Sequence, residues 1–161
     1  MNTVDILKNG HLTVLRTVDG LPDHTWEMGG VCGVWSVKDI LAHLASFEHV
    51  LEDLLNHLLD NSAATPTLNR MIETGDDFND LEVARYNGQS SADIWRDYRV
   101  TCEKTLTLAE KIPAEQWRQN GVLPWYGEIY DLDDFIVYTF YGHKREHCAQ
   151  INVFKDSLKG R

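Results

Sequence analysis

Four stretches of the chain repeat apolar residues at intervals of three and four, and that period commits each to an amphipathic helix with one face turned inward. The second stretch is the most regular: Ile40, Leu41, Leu44, Phe47, Leu51, Leu54, Leu55 and Leu58 continue to about Asp60. Ser36 can cap its start, and Asp39, three residues on, completes the pattern of a capping box. The first holds Val4, Leu7, His11, Leu12, Leu15 and Val18 and ends at Gly20 before Pro22. The third starts at Ser90 or Ser91, turns Ile94, Trp95, Tyr98, Cys102, Leu106 and Ala109 inward, and stops before Pro113, which opens a short turn through Trp117. The last has Asp131 as a cap, carries Asp133 and Asp134 where the helix dipole favours negative charge, and runs to about Leu158.

Between these helices the signals change. Asn61 to Gly88 carries Pro66, Gly75 and the acidic pair Asp76 and Asp77 with only short apolar groups, which predicts a long connection bearing one or two short helices. Gln119 to Tyr130, with Gly121, Pro124 and Gly127 among aromatic residues, predicts a loop or hairpin that packs Trp125 and Tyr126 onto the helices. In 161 residues of 43% hydrophobic content there is room for one compact domain and not comfortably for two. The expectation is an all-α fold: a single domain over 1–161, built as a four-helix bundle with a long crossover connection between helices 2 and 3.

Several classes of function are disfavoured. A formal charge of -10 and a pI near 5.0 repel phosphate backbones, and the Lys and Arg residues are scattered, so no nucleic acid is expected as a partner. No window approaches the roughly 20 apolar residues of a membrane span, and Met1 to Asp5 lacks the basic flank of a signal peptide, so no membrane partner and a cytoplasmic location are expected. Neither a Gly-rich phosphate loop nor a serine elbow is present to support nucleotide transfer or serine hydrolysis. Cys32, Cys102 and Cys148 form no paired motif and read as reduced, mostly buried thiols. Cys148 follows His147, but adjacent helical residues point about 100° apart, which disfavours shared metal ligation.

The inner faces carry histidines. His43 lies three residues after Ile40 and four before Phe47, on their face of helix 2. In the last helix the inner stripe reads Leu132, Ile136, Thr139 or Phe140, His143, His147, Ile151, then Phe154 or Leu158. Two imidazoles one turn apart can reach one metal ion, and a third from another helix completes a three-histidine face that leaves a position open for water, a thiol or a substrate atom. The alternative is that each histidine is a hydrogen-bonded core residue. Polar groups in a core need partners, however, and one shared ion satisfies three imidazoles more economically than three separate acceptors. His11 also falls on an apolar stripe but has no paired neighbour and reads as a core histidine; His24, His49 and His57 carry no such signal. His143 to His147 also fits the inverted zinc-protease pattern H-x-x-E-H, but the downstream acidic ligand of those enzymes has no place here, and Glu146 beside Lys144 and Arg145 reads as solvated.

With Trp35-Ser36-Val37-Lys38-Asp39-Ile40-Leu41-Ala42-His43-Leu44 and His143-x-x-x-His147-x-x-Gln150-Ile151 in view, the chain resembles the DinB/YfiT-like superfamily of four-helix-bundle metalloenzymes over nearly its whole length. The resemblance implies a three-histidine site for nickel, zinc or a similar divalent transition metal at His43, His143 and His147, a low-molecular-weight thiol as a further cofactor, and a homodimer formed through helix faces. Members with assigned activities are mostly thiol-dependent transferases that use mycothiol, bacillithiol or glutathione, maleylpyruvate isomerases among them. Pro124-Trp125-Tyr126 followed by Asp133-Asp134-Phe135 also resembles the branch of DfsB-type and colibactin self-protection proteins. The implied function is metal-dependent action on a small electrophile, by thiol transfer or by hydrolysis with a metal-activated water. The alternative is a non-catalytic protein that binds a small molecule or protects against it. Trp35, Trp125, Tyr126 and Tyr138 are the candidate pocket walls; no catalytic residue is assigned outside the three histidines.

Overall fold

Helix 2 begins where the capping pattern places it. In the computed structural model, which describes residues 2–159, the Ser36 hydroxyl accepts the Asp39 amide at 3.2 Å and the Asp39 carboxylate accepts the Ser36 amide at 2.9 Å. The resulting helix, α2 (Val37–Leu59), ends at Asp60. α1 (Thr3–Val18) is capped by Asn2, and α5 (Ser91–Ala109) by Ser90. The connection from 61 to 90 contains two short helices, α3 (Pro66–Thr74) and α4 (Phe78–Arg85). α3 lacks a side-chain cap of its own; Asp53 of α2 instead accepts the Thr67 and Leu68 amides at 2.6 and 3.1 Å, which seats the connection on α2. The one-domain reading over 1–161 includes residues 1, 160 and 161, which lie outside the described residues.

The last helix starts at Asp131 as expected, through a second capping box with Asp134. It is not uninterrupted α-helix. α6 (Leu132–Ile136) passes into a π-helical stretch, Val137–Gly142, before α7 (His143–Lys159) resumes, with right-handed helical backbone at both joins. A π turn takes up an extra residue and shifts the register of the helix beyond it, and such turns are frequent at functional sites. Here it settles the inner stripe on Phe140, which is buried, over Thr139, and delivers His143 at its end.

The segment 119–130 is a loop, with Trp125 and Tyr126 packed against Phe135 as expected. Among the described residues there is no strand, only an isolated bridge between Cys32 and Trp35, and no helix is long and apolar enough to cross a membrane.

Two apolar clusters form the core. One gathers Leu7, Val50, Leu51, Leu54, Leu55, Phe135, Ile136 and Phe140; the other gathers Val14, Val18, Ile40, Leu41, Leu44, Tyr98, Cys148 and Ile151. α2 and α5 pass from the second cluster to the first along the chain, whereas α1 and the last helix pass from the first to the second. Between the clusters lies a layer of polar groups: His11 from α1, His43 and Glu48 from α2, Thr101 and Thr105 from α5, and His143, Lys144 and His147 from α7. Polar groups buried in a core cost free energy unless they are paired, so this layer is where a function is to be sought.

Candidate metal centre

Each element delivers its histidine for a local reason. The capping box fixes the start of α2, and His43 then lies at the end of its second turn, between Ile40 and Phe47 on the buried face. The π stretch sets the phase of α7, so His143 and His147, one turn apart, meet His43 across the helix pair. The ring nitrogens of the three lie within 4.8 Å of one another. His43 Nε2 is 2.7 Å from His143 Nε2, which is 2.9 Å from His147 Nε2.

Three lone-pair-bearing nitrogens at these separations repel unless a proton or a cation lies among them. A neutral imidazole can place one N–H among them, but a further, charging proton is disfavoured. Burial, reinforced by the neighbouring imidazoles, pushes His43 down to about 2, and burial with the charge of His147 pushes His143 down to about 4. Burial also lowers His147, against an opposing hydrogen bond to Gln150. The imidazoles are therefore neutral at pH 7, the form that ligates metal. Three neutral imidazoles are a donor set suited to zinc, nickel and their neighbours. Metal–nitrogen bonds of about 2.0–2.1 Å in a tetrahedron separate ligand atoms by roughly 3.3 Å, so an ion fits once the rings spread by about half an ångström.

Of the groups that support the triad, Trp35 is the one the sequence singles out. His147 Nδ1 faces Gln150 Oε1 at 2.8 Å, which holds the ring with Nδ1–H donating and Nε2 turned to the centre. The backbone carbonyl of Thr139, in the π stretch, opposes the lowering at His143. His43 Nδ1 is buried without a partner. Trp35 covers the cluster, its ring centroid 5.0 Å from that of His43 and 6.4 Å from that of His147. Phe47 closes the other side at 4.9 Å from His43 and 4.8 Å from His143. Gln150 lies three residues beyond His147, a spacing that suits such a partner, whereas the period of α2 marks Phe47 only as core.

Of the four aromatic residues expected to wall a pocket, only Trp35 touches the histidines. Trp125 and Tyr126 contact Phe135 in the other cluster, and Tyr138, 65% exposed, points to solvent, two residues from both buried Ile136 and buried Phe140 and so on the opposite side of the helix. Glu146 is exposed, as its charged neighbours suggested. Cys148 is buried within an apolar cluster and stands outside the histidine group. His11 packs against Tyr98 with its ring centroid 5.6 Å away, and His49 bonds Asp97 at 3.1 Å; neither joins the triad.

Residues 7–128 match the family model described as mycothiol maleylpyruvate isomerase N-terminal domain. The matched span includes His43 and ends before His143 and His147. No curated protein matches the chain, and no solved structure does.

Proposed function

Because the chain belongs to the mycothiol maleylpyruvate isomerase N-terminal domain family, within the DinB/YfiT-like superfamily, we propose that it is a metal-dependent enzyme acting on a small electrophile at His43, His143 and His147. The convergence of the three Nε2 atoms at the polar layer carries this reading. A divalent transition metal, nickel or zinc by the family resemblance, supplies Lewis acidity there and lowers the pKa of a thiol or a water.

The chain's own residues do the rest. Gln150 holds the tautomer and orientation of His147. Trp35 and Phe47 exclude bulk water from the nitrogens, which strengthens every electrostatic interaction among them. In the thiol reading, a low-molecular-weight thiol of the mycothiol class loses its proton to solvent. Its sulfur then forms a bond to an electrophilic carbon as that carbon's π bond or leaving-group bond breaks. In the hydrolytic reading water takes the place of the thiol.

A second reading, non-catalytic binding or self-protection, draws support from burial: His43 is 2% and His147 6% exposed, beneath Trp35. We extend the proposal to a four-helix bundle of α1, α2, α5 and the last helix, with α3 and α4 on the crossover between parallel α2 and α5. A homodimer and a cytoplasmic location complete it.

The test is metal content followed by turnover. Purified protein should carry or take up about one equivalent of Ni²⁺ or Zn²⁺, and the loaded protein should form thiol adducts with electrophiles or hydrolyse them, in a chelator-sensitive way. No uptake refutes the metal site. Uptake without turnover across thiols and electrophiles favours the binding role, and turnover indifferent to chelation refutes the metal mechanism.

A further inference from the structure

The histidine triad occupies one end of the polar layer; the other end is a buried ion pair. Glu48 is 1% and Lys144 3% exposed, with Lys144 Nζ 2.5 Å from Glu48 Oε1, although the approach is not aligned as a hydrogen bond. Glu48 Oε2 accepts the Thr105 hydroxyl at 2.8 Å, and the Lys144 ammonium stands 5.9 Å from the centre of the Tyr98 ring. Gly10 of α1 packs beside the lysine stem: a Cβ there would lie in ordinary contact, 3.4 Å from Lys144 Cδ.

Such a pair is an expensive way to fill a core. Desolvating two ions costs several kcal/mol each, and apolar side chains of similar volume often serve stability as well or better. What an apolar pair lacks is direction. A buried charge parted from its partner costs several kcal/mol, so the two ions hold their helices where they meet. The position of this pair makes that distinction matter. Lys144 follows His143 directly, and Glu48 lies five residues after His43, so the pair joins the two helices that supply the triad. Those helices have their broad interfaces elsewhere, α2 with α5 and α7 with α1, and meet each other only over a short stretch. Apolar side chains of both helices share the two core clusters, and the ion pair adds a polar tie between them beside the histidines.

We infer that Glu48 and Lys144 are positioning residues of the histidine centre, locking α2 against α7 at the one axial register that brings the three Nε2 atoms together. The inference rests on reading the triad as a metal site. Thr105 orients the carboxylate, which adds α5 to the lock.

The test replaces both charges with apolar groups in the full chain, Glu48→Leu with Lys144→Met, and compares Ni²⁺ and Co²⁺ affinity by competition with a chromophoric chelator. The double variant should fold with a melting temperature no lower than the parent, yet bind metal about ten- to a hundredfold more weakly, with altered Co²⁺ absorption bands. Leu123→Ala, a core void in the other cluster, should lower stability and leave metal affinity and the Co²⁺ spectrum unchanged. Glu48→Gln, which keeps the side chain's shape and loses its charge, should weaken metal binding even if the double variant fails to fold. Parental affinity and spectrum in either folded variant overturn the positioning role while the metal site stands. A parent protein that takes up no metal overturns the triad reading itself.

Discussion

Acidifying the metal-free protein should cost it stability through the triad, and His43→Phe should remove a defined part of that cost. An unfolded imidazole titrates near 6.5, whereas folded His43 lies at about 2 and His143 at about 4. Between pH 6.5 and 4 the unfolded chain binds a proton at each site and the folded chain binds neither, so the free energy of unfolding falls as pH falls. Each imidazole then contributes a slope of about 1.4 kcal/mol per pH unit, or about 2 kcal/mol from pH 6.5 to 5. The two together remove about 4 kcal/mol, a large share of the 5–15 kcal/mol that typically holds a domain together. Other histidines contribute too. His147 and His11, both lowered mainly by burial, act in the same direction. His49, raised by its hydrogen bond to Asp97, acts oppositely: its stabilisation is complete below pH 6.5 and lost as pH rises through its folded value. The difference between parent and variant isolates His43, whose place beside Trp35 and Phe47 suits a phenyl ring. Urea unfolding with chelator present, at steps from pH 7 to pH 5, should show the variant gaining on the parent by about 2 kcal/mol below pH 6.5. Parallel pH profiles would refute the buried neutral imidazole.

Gly10→Ala should stabilise the fold by up to about 1 kcal/mol in chemical denaturation, because the helix gains propensity and the new methyl meets Lys144 and Tyr141 side-chain atoms only at 3.4 and 3.5 Å; a loss of that size would mean α1 has no room to spare. Trp35→Ala should speed removal of bound metal by chelator, since the indole covers His43 and His147; an unchanged rate would place the entry path elsewhere. Gln150→Leu should weaken metal binding about tenfold by releasing the His147 ring, and parental affinity in that variant would show that Gln150 does not set the tautomer.

How much of this was legible in the sequence differs from element to element. The helix starts were, because Ser36 with Asp39 and Asp131 with Asp134 are local devices whose partners lie three residues apart. The convergence of His43 with His143 and His147 was also legible, since inner-face spacing on two helices is enough to aim the rings at a common core. The π stretch was not: Val137–Gly142 fits an ordinary helical period, and only packing against α1 reveals the extra residue. Tyr138 failed as a pocket wall for a plainer reason: it lies two residues from Ile136 and from Phe140, on the outer side of the helix. Trp125 and Tyr126 failed because a loop's aromatic residues pack on the nearest apolar surface, here Phe135, and the sequence does not say which end of the core that is. Glu48 and Lys144 were hidden for another reason. Charged residues on a helix are ordinarily solvated, and burial of this pair depends on two helices that are about a hundred residues apart in sequence.

The central claim, that the three histidines hold one metal ion, is tested most directly by anomalous diffraction at the metal absorption edge from crystals grown with Ni²⁺ or Zn²⁺. We predict a single peak about 2.0–2.1 Å from Nε2 of His43, His143 and His147. A triad that keeps its Nε2 atoms at 2.7 and 2.9 Å, with the anomalous signal absent or elsewhere, would contradict it.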